Sequence, residues 1–139
     1  MKFWHPNYNM QLDRNASRYL IDWDAPSRSK FQFEVKQFLK PYWEHCYVVE
    51  EFTIPRDRRS IDIINFTYDI AIEVQGAGHT KFSKGWFHKT RSDYLNQKKR
   101  DFFKRQFCEM NDLALWEIFP EDMPLTENKI RNMFNFDLR

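Results

Sequence analysis

The segment Ile61 to Gly76, IDIINFTYDIAIEVQG, constrains this chain more than any other stretch. Two runs of branched and aliphatic residues, Ile61 to Phe66 and Ile70 to Gln75, are separated only by Thr67-Tyr68-Asp69. That spacer leaves room for a tight connection and nothing longer, so the runs are expected to be neighbouring strands. Each carries one acid among apolar neighbours: Asp62 in the first, Glu73 in the second. Successive strand side chains point to opposite faces, which puts Glu73 and Gln75 on one face and Ile72 and Val74 on the other. By the same rule Asp62 shares a face with Ile64 and Phe66. On hairpin neighbours the two acids then come together. Two carboxylates among aliphatics repel each other and are costly to desolvate. A hard cation removes both penalties, and Mg²⁺ favours one or two carboxylates completed by water and phosphate oxygens.

Periodicity gives the remaining elements. Residues 1–26 are aromatic-rich and aperiodic, an arm packed on the domain. Pro26-Ser27 opens a helix expected to run to about Lys40, where Pro41 interrupts it. Its apolar stripe is Phe31, Val35, Phe38 and Leu39, with Glu34 on the shoulder. Tyr47 to Pro55 reads as a strand, followed by the charged turn RDRRS. The segment Gly76 to Thr90 is a loop holding the chain's three glycines, two histidines and three lysines. A long helix is expected from about Ser92 to Met110, with Leu95, Phe102, Phe103, Phe107 and Met110 buried. Leu113 to Pro120 gives a fourth strand and Thr126 to Phe134 a closing helix. The order αβββαβα predicts an α/β fold with a mixed sheet of about four strands flanked by helices. At 139 residues one domain is expected, comprising the arm 1–26, a core 27–120 and a C-terminal helical segment 121–139.

The net charge of +2 is unevenly spread. Lys81 to Arg105 holds nine basic residues against Asp93 and Asp101, a balance of +7 that leaves −5 for the rest. Such a concentration suits a polyanion, since each basic group near a phosphate releases condensed counterions. No apolar run approaches a membrane span, and the N-terminus lacks the apolar stretch of a signal peptide. Cys46 and Cys108 fit no metal or redox spacing and read as ordinary buried thiols. An intracellular, cytoplasmic location is the expectation.

With Glu34 on the first helix, Asp62 on the second strand, and Glu73-Val74-Gln75 on the third before a helix, the chain resembles the PD-(D/E)XK nuclease superfamily, the restriction-endonuclease-like fold. The resemblance covers roughly residues 28–119. The GAGH stretch and the basic helix after it, with Lys98 and Asp101, are similar to the very-short-patch-repair-like branch and its EDxHD phage homing endonucleases. On that analogy the letters are Glu34, Asp62, an unassigned position, His79 and Asp101. The resemblance implies a metal-dependent endonuclease acting on double-stranded DNA. Asp62, Glu73 and the Val74 carbonyl would hold Mg²⁺ (or Mn²⁺), Gln75 would position the attacking water and His79 would move the proton. The superfamily usually has lysine where this chain has Gln75, and Lys98 or Lys99 on the next helix is the expected substitute. Lys81, Lys84, Trp86, His88, Lys89, Arg91 and Lys99 are the expected DNA contacts. Cutting both strands would call for a homodimer; a monomer would nick. A catalytically inactive nucleic-acid-binding module on the same fold is the alternative.

Each residue also has a structural role open to it. Asp62 can pair with an arginine of the RDRR turn, Glu73 with Lys98, and Asp101 with Arg105 four residues on. Glu34 can be a border acid of an amphipathic helix, and Trp86 with Phe87 can pin a loop.

Overall fold

The computed structural model describes residues 1–76 and 91–139. A short hairpin, β1 (Lys2–Trp4) with β2 (Gln11–Asp13), is followed by α1 (Lys30–Trp43), β3 (Val48–Thr53), β4 (Ser60–Asn65) and β5 (Ile70–Val74). After the segment 77–90 come α2 (Arg91–Met110), β6 (Ala114–Ile118) and α3 (Glu127–Phe134). The main sheet has the order β3-β4-β5-β6, antiparallel through β5 and parallel between β5 and β6, with α2 as the crossover. A mixed four-stranded sheet flanked by helices is therefore the architecture, in the expected element order.

Local chemistry sets the boundaries. Ser29, not Ser27, has extended backbone and accepts the Gln32 N–H, so α1 starts there. It also runs through Pro41 to Trp43. Proline removes one N–H near the end of the helix, and the last turn brings Trp43 to 5.7 Å from Trp116 in the core. In the β4–β5 connection the Asn65 side chain accepts the Thr67 and Tyr68 N–H groups, at 2.9 and 3.0 Å, and Asp69 takes a left-handed φ of 57°. Asparagine caps of this kind close tight turns.

The two sheet faces bury different partners. Phe103, Phe107 and Cys108 of α2 pack with Val49, Phe52, Ile61, Ile64 and Ala71. On the other face Val35, Leu39 and Trp43 of α1 and Ile130 of α3 pack with Ile63, Ile70, Ile72 and Trp116. Of the stripe expected on the long helix, Phe103 and Phe107 are buried, joined by Gln97 and Cys108, while Leu95, Phe102 and Met110 are exposed. Apolar residues on α2 follow two helical phases, and contact with the sheet selects the phase of Phe103 and Phe107. The arm contributes to the same layer. Phe3 lies 5.1 Å from Phe52, Trp4 exchanges two hydrogen bonds with the Asn111 side chain, at 2.7 and 2.9 Å, and Leu20 forms a bridge to Val49 at the sheet edge.

One irregularity shapes the sheet around Asp62. Glu51, inside β3, has φ of 52°, which costs a non-glycine residue about 1–2 kcal/mol. The β3–β4 register runs Val49 to Ile64, Glu50 to Ile63 and Phe52 to Ile61, and omits the Glu51–Asp62 rung. On either side of the kink, Val49 and Phe52 face the same cluster, as do Ile64 and Ile61. Simple alternation along β4 therefore breaks at Asp62. Among the described residues no helix is long and apolar enough to cross a membrane.

The two faces of α2 can be told apart by substitution. Phe107→Ala should cost about 3–5 kcal/mol of unfolding free energy in urea titration, and Phe102→Ala no more than about 0.5 kcal/mol. The reverse ranking would show that the helix packs in the other phase.

Candidate active site

Asp62 sits where the sheet opens. The β4–β5 pairing ends at Ile63 with Ile72, so Asp62 and Glu73 face each other one step past the last rung. Asp62 Oδ2 accepts the Val74 N–H at 2.8 Å, standing in for the strand carbonyl that would otherwise take it. Its Oδ1 accepts from Arg28 Nη2 at 2.9 Å. Arg28 also reaches Glu51 at 3.6 Å. Asp62 is 1% exposed and Glu73 4%. Lys104 Nζ approaches Glu73 Oε1 at 2.9 Å, in an orientation that leaves this oxygen without a well-formed hydrogen bond among the described residues.

Burial pushes the Glu73 carboxyl well above the usual glutamate range, Asp62 pushes it the same way, and Lys104 only partly opposes them. Burial also raises the neighbouring Cys108 thiol to about 12, helped by the Glu73 charge. This thiol is inert at neutral pH. Cys46, the other free cysteine, is only half-buried.

Across β5 and β6, Glu73 is in register with Glu117. Gln75 Nε2 donates to Glu117 Oε2 at 3.0 Å, and Arg105 Nε lies 3.6 Å from the other Glu117 oxygen. One level of the sheet therefore carries an acid on every strand: Glu51, Asp62, Glu73 and Glu117. Each has a cation: Arg28 bridges the first two, Lys104 serves Glu73 and Arg105 serves Glu117.

The segment that carries Arg28 is held by the start of α1. The buried Lys36 ammonium donates to the carbonyls of Asp22 and Ala25, at 2.8 and 2.7 Å, and to Glu50 at 3.1 Å. Gln32 Nε2 donates to both Glu50 and Glu51 at 2.9 Å. These bonds tie the segment before α1 to the β3 kink.

Above Asp62 and Glu73 lies a cleft of about 380 Å³ lined by Arg28, Arg58, Arg59, Ser60, Val74, Gln75, Arg100 and Lys104 together with the two acids. Five cations surround two carboxylates. The sequence-expected residues divide accordingly. Asp62, Glu73, Val74 and Gln75 come together. Glu34 does not join them: it is exposed and lines a separate hollow with Asp24, Ser27 and Phe33, because the side of α1 turned inward carries Gln32 and Lys36. Lys98 is exposed, with Nζ 5.5 Å over the Tyr94 ring, and is not among the cleft residues. Lys104, six residues further along, is the lysine of α2 that lines the cleft. Lys99 lines a neighbouring groove. Asp101, half-buried, does not line the cleft, and Arg91 is exposed at the start of α2. His79, Lys81, Lys84, Trp86, His88 and Lys89 lie outside the described residues.

Sequence reading missed Arg28, Arg58, Arg59, Arg100 and Lys104. For Lys104 a signal existed: it lies seven residues after Gln97 and four before Cys108, on the stripe that is buried. Among the described residues, no group of three or more histidine, cysteine or acidic side chains converges to hold a metal. Asp62 and Glu73 remain as a pair, with water and a phosphate left to complete a Mg²⁺ shell, and this donor set fits that ion.

No family model matches the chain, and no solved structure does. Among curated proteins the chain is similar to uncharacterized protein 033L of Invertebrate iridescent virus 3, 34% identical over 58 residues. The match spans 42% of this chain and 29% of that protein.

The raised Glu73 value has a definite sign in stability. The folded protein holds this proton more tightly than the unfolded chain, so the fold loses stability as pH rises from the ordinary 4.5 through the raised value. Glu73→Gln carries no such proton. In EDTA, its urea midpoint should gain on the wild type steadily across that window. A difference constant with pH would show that Glu73 titrates normally.

Proposed function

We propose that the chain is a metal-dependent endodeoxyribonuclease built on a PD-(D/E)XK-type core. One observation carries this: two desolvated carboxylates on adjacent strands, Asp62 and Glu73, form the floor of a cleft otherwise dominated by Arg28, Arg58, Arg59, Arg100 and Lys104. Acids that repel each other suit a divalent cation, and the basic walls suit the phosphodiester the cation would act on. The observed element order also agrees with that superfamily.

In this reading Asp62, Glu73 and the Val74 carbonyl hold Mg²⁺, with Mn²⁺ as a substitute. Held there, such an ion would supply Lewis-acid polarisation of the phosphate and activation of a water. Lys104 supplies the positive charge that the usual motif lysine supplies, since Gln75 cannot. The Gln75 amide, fixed by Glu117, orients water at the cleft edge. Arg28, 62% exposed, exchanges Asp62 for a phosphate oxygen when substrate arrives. His79 keeps the proton-transfer role. Double-stranded DNA is the proposed substrate, and a homodimer the arrangement for cutting both strands.

The test is cleavage of supercoiled plasmid, genomic DNA and branched DNA with Mg²⁺, Mn²⁺ or EDTA. Wild type should cut or nick only with metal, and Asp62→Asn and Glu73→Gln should abolish cutting while retaining DNA binding. No cutting of any substrate, with DNA binding intact, would identify an inactive binding module, with Gln75 as the residue that marks the loss. Within an active enzyme the two candidate lysines separate cleanly. Lys104→Met should lower the cleavage rate about 10²–10³-fold, the usual effect of removing one charge-stabilising group, and Lys98→Met should leave it within about threefold. The reverse ranking would return the role to Lys98.

A further inference from the structure

We propose that the groove between the β3–β4 turn and the N-terminal half of α2 is a track for a nucleic-acid backbone, holding the phosphates that flank the one in the cleft. The proposal rests on the nuclease reading of the cleft and extends it to a surface and a set of residues outside the acidic pair.

The groove, about 570 Å³, is lined by Arg56, Arg58, Arg59, Asn96, Lys99 and Arg100, with Asp57 as the one acid of the lining among the described residues. Arg58, Arg59 and Arg100 also line the cleft, so the two are one continuous surface. Asp57 is already engaged. It accepts the Arg59 N–H at 2.9 Å, lies 3.8 Å from Arg59 Nε and faces His5 Nε2 at 3.5 Å. Among the described residues no acid pairs with Arg56, Arg58, Lys99 or Arg100. Four such cations side by side repel one another until an anion arrives. This contrasts with the cleft floor, where each acid has its own cation.

The turn that carries the arginines has a fixed backbone. Ile54 and Arg59 are joined by a backbone hydrogen bond of 3.0 Å, and Asp57 N–H donates to Ile54 O at 3.0 Å. Arg14 Nη2 adds a bond of 3.1 Å to the same carbonyl. The Arg59 guanidinium lies 4.1 Å over the Phe103 ring, fastening the turn to α2. A guanidinium held as Arg59 is loses little freedom on binding. The dimensions agree with a strand of nucleic acid. Asn96 in the groove and Lys104 in the cleft are eight residues apart on α2, about 12 Å along its axis. That is the axial rise of three to four nucleotides at about 3.4 Å each.

The test is fluorescence anisotropy of a labelled 20-bp duplex in EDTA, from about 50 to 200 mM salt, so that no cleavage is involved. Arg56→Gln/Lys99→Gln alters the groove without touching the cleft, and Arg18→Gln/Lys30→Gln removes the same charge elsewhere. Each lost phosphate contact should reduce the slope of log K against log salt by about 0.9. The groove double should therefore flatten the slope by about 2, and over the fourfold salt step its affinity should fall about tenfold less than that of the wild type. The control double should keep the wild-type slope. If both doubles lower the slope equally, or neither does, the track is overturned while the cleft reading stands. If the wild type itself fails to bind duplex, the nuclease reading falls with it. Circular dichroism melts of both doubles check that they remain folded.

Discussion

The hydrogen bond from the Val74 N–H to the Asp62 carboxylate is the contact on which the rest of the site depends. A side chain takes a backbone position at the point where β4 and β5 part, so the strands can separate without leaving a buried N–H unpaired. That separation makes room for the cleft. It also fixes Asp62 beside Glu73 and leaves one Asp62 oxygen facing Arg28. The opening has a counterpart on the other side of β4, where the left-handed Glu51 removes the Glu51–Asp62 rung. Asp62 thus lies between two interruptions of the sheet, where a carboxylate has space that a regular ladder would deny it.

How much of this can be read from the chain depends on whether one residue's rule can be overridden by another's. The β4–β5 hairpin was legible because period two and the short spacer agree, and nothing competes with them. The meeting of Asp62 and Glu73 follows from that hairpin alone. The place of Ile61 was not legible: alternation puts it opposite Ile64, yet both lie in the same cluster, because the positive φ of Glu51, which no propensity anticipates, shifts the pattern at that end of the strand. Glu34 illustrates a different limit. Its spacing on α1 suits a shoulder position, but the inward side is taken by Gln32 and Lys36, whose partners Glu50 and Glu51 lie on β3. Long-range polar pairing of that kind leaves no periodic trace. Lys98 and Lys104 differ only by helical phase, and the apolar residues of α2 support two phases until the sheet chooses one.

Distant parts of the chain converge on the arginine turn. His5, buried, packs 5.3 Å from Phe103 and faces Asp57, and Phe103 carries Arg59 on its ring. The hairpin of β1 and β2 is too short to be stable alone, and its burial of Phe3 against Phe52 and Phe107 ties it to the core. The N-terminal arm is therefore part of the support for the basic wall. Core packing, the aromatic contacts around Phe103 and the geometry of the arginines form one mechanical unit.

Charge balance explains why such a site can be both stable and receptive. Asp62 and Glu73 bring two carboxyl groups into a nearly dry place, and Arg28 and Lys104 bring two positive charges beside them. The pairs differ in kind. Arg28 is mostly exposed, on a segment outside any helix, whereas Lys104 is half-buried on α2. Parting either cation from its buried acid is costly unless another cation takes its place, and of the two only Arg28 already reaches water. In the proposed nuclease the order of events follows from that difference. There Arg28 would be the group that yields, turning from Asp62 to the incoming phosphate and leaving the Asp62 oxygen to a divalent ion. Lys104 stays, holding Glu73 and the cleft floor together while the charges above them change.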